Sequence, residues 1–269
     1  MQQRRWPLYS VLAFGYAFLY VPVLLLIIYS FNESRLVTVW SGFSTKWYGA
    51  LLENQHLLDA AWLSIRIAAT NATIAVVLGT LAANALVRHG RFKGRAGFEL
   101  MITAPLVMPE VIVGLSMLLL FVAMEQWVGW PDGRGFTTIV ITHITFSMAY
   151  VAVVVKARLG QMDRSLEEAA MDLGARPLKV YLRITLPLIA PALLSGWLLA
   201  FTLSLDDLVA TSFVAGPGST TLPMVVYSSV RMGVSPQINA LATLIVLFVS
   251  VAVIIAGLAM RGRSGSGSD

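Results

Sequence analysis

Apolar runs about as long as a membrane is thick constrain this chain more than any other feature. A helix needs about 20 predominantly apolar residues to cross the hydrocarbon core of a bilayer. Hydrophobic residues make up 57% of the chain and charged residues 12%, which is not the composition of a soluble domain. The apolar runs lie at about 6–30, 60–87, 97–124, 136–155, 188–213 and 238–260. The sequence therefore predicts an all-α integral membrane protein with six transmembrane helices.

We expect one transmembrane domain over 1–263 and a disordered Ser/Gly tail over 264–269. A secretory signal peptide is the alternative interpretation of the first run. Its apolar core would span about 7–15 residues and precede a small-x-small cleavage site. The first run is longer and ends in Tyr29-Ser30-Phe31-Asn32, so we interpret it as an uncleaved span.

The basic residues predict the orientation of these spans. Fourteen Lys and Arg residues lie in the termini, the loop 88–97 and the loop 156–187, whereas the opposite loops contain four. Cytoplasmic loops are enriched in Lys and Arg. Both termini and the loop 156–187 are therefore predicted to face the cytoplasm. The net charge of +5 is therefore explained by the basic residues of the cytoplasmic loops, and it gives no reason to expect nucleic-acid binding.

The loop 156–187 is the longest strongly charged stretch of the chain. Ser165 and Glu168 have the spacing of a capping box, which predicts a helix that begins at Ser165. Gly174 occupies the position where a left-handed residue ends such a helix. Pro177 can begin a second helix, and we expect Pro187 to end it. The first helix has a small apolar face formed by Leu166, Ala169, Ala170 and Leu173.

Four acidic residues fall within the predicted spans, where ionisable groups are costly and usually functional. One of them, Glu99, lies close enough to the interface to be ordinary. Glu110 follows Pro109 near the middle of the third span, which suggests a kinked helix beside a pathway. Asp206 and Asp207 lie near the outer end of the fifth span, where they could receive a cation. The alternatives are a hydrogen-bonded structural Glu110, and an aspartate pair that caps a helix or pairs with Arg66.

Residue patterns for several chemistries are absent from the sequence. It contains no P-loop signature, so this chain cannot hydrolyse ATP by that route, and it has no catalytic nucleophile set. No second histidine or carboxylate lies at ligand spacing from His143, so we expect a packing residue rather than a metal ligand. An intramembrane enzyme would have to use Glu110 with His143, which no motif supports.

The spacing within the loop 156–187 resembles the EAA loop of ABC importer permeases. That pattern, EAA-x3-G-x9-I-x-L-P, has seven fixed positions, and all are met, by Glu168, Ala169, Ala170, Gly174, Ile184, Leu186 and Pro187. The resemblance implies the type I importer permease fold, in which this loop contacts a cytoplasmic ATPase. An amphipathic helical hairpin on the membrane surface is the alternative.

Further strings resemble the inner-membrane permeases of polyamine importers, and most closely the putrescine branch. These strings are APLVMPE at 104–110, LSLDDL at 203–208 and GPGSTTLP at 216–223. The resemblance implies that Glu110, Asp206 and Asp207, with Trp47 and Ser204, serve a polycationic substrate. Another small substrate of the same importer class is the alternative, and an ion-gradient-driven transporter is a more distant one.

The resemblance also implies partners and a location. It implies a second, homologous permease, two cytoplasmic ATPase subunits and a periplasmic polyamine-binding protein, in the bacterial inner membrane. ATP and Mg²⁺ would bind to the ATPase subunits, and this chain would hold no cofactor or metal of its own.

Overall fold

The structure, a computed structural model, describes residues 6–35, 39–90, 92–232, 236–247 and 250–251. The chain divides into two compact units, one formed by 1–58 with 226–269 and the other by Asp59–Val225. The assignment of 1–263 to a single domain stays a prediction, and the predicted tail 264–269 lies outside the described residues.

The described chain is built from helices. They are α1 Trp6–Ser30, α2 Lys46–Glu53, α3 Gln55–Arg88, α4 Arg95–Val107, α5 Glu110–Val128, α6 Phe136–Gln161, α7 Ser165–Asp172, α8 Pro177–Val180, a π-helical turn Tyr181–Thr185, α9 Leu186–Leu205, α10 Val209–Val214, α11 Leu222–Met232 and α12 Pro236–Leu247. Within the described residues, five stretches are long and apolar enough to cross a membrane. The prediction of an all-α membrane protein is confirmed.

The count of six spans stays a prediction. The sixth apolar run, 238–260, is described only as far as α12 and residues 250–251, and α12 is shorter than a span. The second and fourth predicted spans correspond to α3 and α6, both longer than expected. Because α6 continues to Gln161, the first residues of the predicted loop 156–187 are helical.

The first unit contains α1 and a short aromatic loop. The side chains of α1 are exposed along its apolar length, which an apolar helix tolerates in lipid. After α1, Phe31 stacks on Phe43 with ring centroids 5.3 Å apart. The indole N–H of Trp47 donates to the backbone oxygen of Asn32 at 2.6 Å, and this bond holds α2 against the loop. A short helix, α2, thus lies between the first two apolar runs.

The core of the second unit lies where α3, α6 and α9 meet. Val151 of α6 is fully buried and faces Gly79 of α3 and Gly196 of α9. Small residues let helix backbones approach closely in membrane proteins. The amide of Asn71 donates to Ser147 Oγ and to the Ala200 carbonyl oxygen, both at 3.0 Å. One buried polar side chain of α3 thus links α3 to both other helices.

The third predicted span, 97–124, is wrong as a single helix. It is broken between Val107 and Glu110, so that α4 and α5 are separate. Met108 is extended, with φ −77° and ψ 134°, because the proline that follows disfavours helical backbone at that position. The expected kink is therefore a complete break, and Glu110 is the first residue of α5.

The fifth predicted span, 188–213, is also wrong at both ends. Its helix ends at Leu205, and the separate helix α10 begins at Val209. At the other end Pro187 does not stop a helix, since one continuous helix runs over Pro177–Leu205. The N–H of Leu186 donates to Tyr181, five residues back, and this π-helical step shifts the register just before the proline, which has no N–H to donate.

We predict that Gly79→Ala destabilises the protein. A Cβ at position 79 would lie 2.8 Å from Val151 Cβ and 2.9 Å from the backbone oxygen of Met148. The free energy of unfolding should fall by about 1–3 kcal/mol because neither neighbour can move without shifting α6. The measurement is the thermal unfolding midpoint of the purified protein in detergent.

Gly97→Ala is the matched control, because a Cβ there meets nothing within 4 Å. Alanine favours helix over glycine by up to about 1 kcal/mol, so this change should leave the midpoint the same or raise it. Equal midpoints for the two variants would contradict the close packing at Gly79.

Candidate functional site

The segment between α6 and α9 forms the first candidate site, together with the first two residues of α9, and we name residues 162–187 the coupling segment. The capping box predicted at Ser165 is wrong. Ser165 is already the first helical residue of α7, and its side chain makes no capping bond. Asp163 accepts a hydrogen bond from the Ser165 N–H instead, at 3.0 Å. This bond lowers the pKa of the Asp163 carboxyl below its ordinary value.

The end of α7 follows the prediction made for Gly174. Gly174 has φ +82°, which favours glycine over residues with a side chain. The N–H of Ala175 donates to the Ala170 oxygen at 3.0 Å, and that of Gly174 donates to the Met171 oxygen at 2.9 Å. These two bonds form a Schellman motif, which turns the chain sharply toward Pro177 at the start of α8.

The apolar face predicted on α7 is directed away from the rest of the unit. Leu173 is 90% exposed, and Leu166 and Met171 are also exposed. Glu168 and Ala169 lie on the surface, while Ala170 is half-buried. Exposed apolar side chains grouped at a helix end are typical of a surface that contacts another protein.

The remaining motif residues belong to the helix that follows. Ile184 lies in the π-helical turn, and Leu186 and Pro187 begin α9. Leu186 packs against the core cluster of α3, α6 and α9. The seven-residue motif therefore joins an exposed helix at one end to a core-packed helix at the other.

Glu167, for which the sequence pattern predicts no role, holds α7 to the unit. Its Oε1 accepts from Arg88 at 2.9 Å and from the Thr185 hydroxyl at 2.5 Å. Arg164 also donates to the Val87 carbonyl oxygen, at 2.7 Å. One carboxylate thus links α3, α7 and the π-helical turn beside a cleft of about 700 Å³. Helical spacing alone could not identify it, because the Arg88 partner lies 79 residues away.

The second candidate site contains the acidic residues of the spans, and it places Asp207 in a buried network. Asp207 accepts from the N–H of Thr211 at 2.7 Å and from its hydroxyl at 2.6 Å. His143 Nε2 lies 3.2 Å from the same carboxylate, and His143 Nδ1 lies 2.6 Å from Ser204 Oγ. Because a carboxylate only accepts, the Nε2–H of His143 donates to Asp207, while the other ring nitrogen, Nδ1, is hydrogen-bonded to Ser204 Oγ.

This network agrees with the capping alternative for Asp207, and the substrate role of the aspartate pair stays a prediction. Asp207 caps α10, as the structural alternative proposed, whereas Asp206 ends α9 and is exposed. Arg66 does not pair with either carboxylate in the described chain; its guanidinium lies 5.3 Å from the ring centre of Phe136. His143 is a buried packing residue, as expected, and no local pattern in the sequence indicates the carboxylate beside it.

The other predicted pathway residues belong to different elements of the fold. Ser204 shares the His143 network with Asp207, while Glu110 lies at the break between α4 and α5. Trp47 belongs to the first unit, where its indole is hydrogen-bonded to the loop. Among the described residues, no group of three or more His, Cys, Asp or Glu side chains could hold a metal ion.

Comparison with known proteins agrees with these features. The chain matches the family described as "Binding-protein-dependent transport system inner membrane component" over residues 75–262. It is 66% identical to the putrescine transport system permease protein PotI of Escherichia coli (strain K12), over 87% of this chain and 84% of that protein. It is 42% identical to the spermidine/putrescine transport system permease protein PotC of the same strain, over 93% and 92%.

Among solved structures, a chain of a bacterial ABC transporter involved in the import of the acidic polysaccharide alginate has a similar fold. The TM-score is 0.69 at 15% identity, over 97% of this chain and 98% of that one. The resemblance drawn from the sequence is confirmed by these findings. This chain, with its apolar helices and exposed coupling segment, belongs to the family of inner membrane components of binding-protein-dependent transport systems.

Proposed function

We propose that this chain is a permease subunit of an ATP-driven importer and forms half of the pathway by which putrescine enters the cytoplasm. The 66% identity to a putrescine permease over most of both chains is the observation that supports this proposal. The second group of relatives, at 42% identity, makes spermidine the second candidate substrate.

The energy for transport would come from other subunits. The sequence has no P-loop, so we infer two cytoplasmic ATPase subunits that bind ATP and Mg²⁺. A homologous permease would complete the pathway, and a periplasmic binding protein would deliver the substrate. Both termini and the coupling segment would face the cytoplasm, in agreement with the distribution of basic residues.

The coupling segment is suited to receive the motion of an ATPase. Its exposed end offers Leu173 and the motif residue Glu168, and its other end continues into α9 without a break. When ATP closes the ATPase dimer, a displacement of α7 would be transmitted to α9 and, through Glu167, to Arg88 of α3. The spans would then alternate between inward-facing and outward-facing arrangements.

Uptake by the reconstituted importer tests the proposed function. We expect proteoliposomes that contain all subunits and ATP to accumulate labelled putrescine, with unlabelled spermidine as the competitor. Glu168→Ala should abolish uptake although the permease still folds, because Glu168 is exposed on α7 and lies on the surface proposed to meet the ATPase. Uptake without ATP, or no uptake of either polyamine, would contradict the proposal.

We predict that Leu173→Ser weakens the association with the ATPase without destabilising the permease. Burial of one leucine at an interface contributes about 1.5–3 kcal/mol, so the dissociation constant should rise by about tenfold or more. The measurement is titration of detergent-solubilised permease with purified ATPase, together with the unfolding midpoint of the permease alone.

Asp172→Ser, at the neighbouring exposed position of α7, is the matched control and should leave the association unchanged. Equal affinities for the two variants would show that the apolar face of α7 does not contact the ATPase.

We predict opposite outcomes for the two adjacent aspartates. Asp207→Ala removes the acceptor of the Thr211 N–H and of His143, and should lower the free energy of unfolding by about 2–4 kcal/mol. Asp206→Ala should change it by less than about 0.5 kcal/mol, because Asp206 is exposed. Thermal unfolding of both variants in detergent measures the difference, and a larger loss for Asp206→Ala would refute the structural role of Asp207.

A further inference from the structure

The cleft of about 700 Å³ beside Glu167 lies between the last turns of α3 and the helices α7 and α8. From α3 it is lined by Leu81, Asn84 and Arg88, whose spacing places them on one face of that helix. At 1.5 Å per residue, Leu81 and Arg88 are about 10 Å apart along the helix axis. The cleft therefore extends from the charged end of α3 to its apolar part.

Charged groups of both signs line this cleft. The basic residues are Arg88, His89 and Arg164, and the acidic residues are Glu167 and Glu168. Arg88 and Glu167 pair with each other at 2.9 Å. Glu168 is exposed, and its carboxylate has no ion pair within the described residues. A ligand that carries both a negative and a positive group therefore matches this lining better than a ligand of one sign.

Arg88 retains two donors that have no acceptor. Its Nη2 donates to Glu167, whereas Nε and Nη1 are buried and have no hydrogen-bond partner in the described chain. Unpaired buried donors destabilise a protein, and an anion close to the guanidinium would offset part of that cost. Arg164 donates to the Val87 carbonyl oxygen at 2.7 Å, so a second guanidinium lies at the same end of α3. Guanidinium groups are well suited to bind phosphate.

An apolar face of α3 leads away from the cleft. Ile74, Val77 and Leu81 follow one another at spacings of three and four residues, which places them on the same face as Arg88, and each of them is exposed. The cleft at the end of α3 is thus continuous with an exposed apolar surface on a predicted span. A phospholipid needs this arrangement, because its charged headgroup and its acyl chains are parts of one molecule.

We propose that this cleft binds a membrane phospholipid whose headgroup combines a phosphate with a primary ammonium group, as in phosphatidylethanolamine. The phosphate would lie beside Arg88 and Arg164, and the ammonium group would donate to Glu168. An acyl chain would lie along α3 toward Val77. The proposal goes beyond the proposed uptake of a polyamine, and it depends only on the cytoplasmic orientation of the coupling segment.

The lining discriminates among headgroups. A primary ammonium group has three N–H donors, whereas the trimethylammonium group of phosphatidylcholine has none to offer Glu168. Phosphatidylglycerol has a phosphate and no cation, so Glu168 would repel it. Basic pockets at the cytoplasmic ends of transmembrane helices bind lipid headgroups in other membrane proteins. The additional carboxylate in this cleft is what favours the zwitterionic headgroup.

Lipid association at one labelled position tests the site. The chain contains no cysteine, so Val77→Cys in an importer assembled with cysteine-free partner subunits can be labelled with a bimane fluorophore. In bilayers that mix phosphatidylethanolamine with phosphatidylcholine, one of them with brominated chains, quenching gives the ratio of the two association constants at that position. We expect phosphatidylethanolamine to be favoured by about tenfold or more, because phosphatidylcholine lacks the charge-assisted hydrogen bond.

Control variants make the result specific to the cleft. Leu100→Cys, at an exposed position of α4 outside the cleft lining, should give a ratio close to one. At Val77→Cys, the added change Glu168→Gln should also bring the ratio close to one. Asp172→Asn, on the same helix as Glu168 but outside the lining, should leave the ratio unchanged. If Val77→Cys does not assemble, Ile74→Cys probes the same face.

Three outcomes would overturn the proposal. The first is a ratio close to one at Val77→Cys, or a ratio that Glu168→Gln does not change. The second is the absence of quenching by either lipid, which would show that protein covers this face of α3. The third is displacement of the lipid by millimolar glycerophosphoethanolamine, which would assign the cleft to a free solute. Because no readout involves uptake, each outcome leaves the proposed transport function untouched.

Discussion

The positions of both candidate sites depend on the contact of Val151 with the backbones of its neighbours. Val151 is buried between Gly79 and Gly196, so α6 lies close to both α3 and α9. Without a hydrophobic driving force in lipid, such close packing and buried hydrogen bonds hold helices together. Two turns before Val151, α6 holds His143 against α9 and α10, and its other end leads into the coupling segment.

In the coupling segment, the predictions were correct at residues whose own backbone properties decide the local conformation. Gly174 and Pro177 have the conformations expected of them, because left-handed backbone and a missing N–H are properties of those residues alone. The predictions for Ser165 and Pro187 were wrong because neighbours took over the expected role. Asp163 binds the Ser165 N–H, and a π-helical turn accommodates Pro187. The local spacing of residues indicates neither the Asp163 hydrogen bond nor the π-helical turn.

The contacts of the acidic residues could not be predicted from their positions in the sequence. The cost of a carboxylate in a membrane span identified Asp206, Asp207 and Glu110 as unusual, but not what each one contacts. Asp207 is bound by His143 and Thr211, which lie 64 and 4 residues away, and only the fold brings His143 to it. Glu110 is also an acidic residue within a predicted span, and yet it lines a cavity of about 220 Å³ at the start of α5. The difference arises from the packing of α6, which no spacing rule describes.

The continuous helix Pro177–Leu205 is a lever whose arms are unequal. If the contact of Gly196 with Val151 acts as the fulcrum, the arm toward Leu178 is about 27 Å long and the arm toward Ser204 about 12 Å. A displacement applied at the coupling segment would arrive at Ser204 reduced about twofold and opposite in direction. Such a lever would exchange amplitude for force at the buried histidine network.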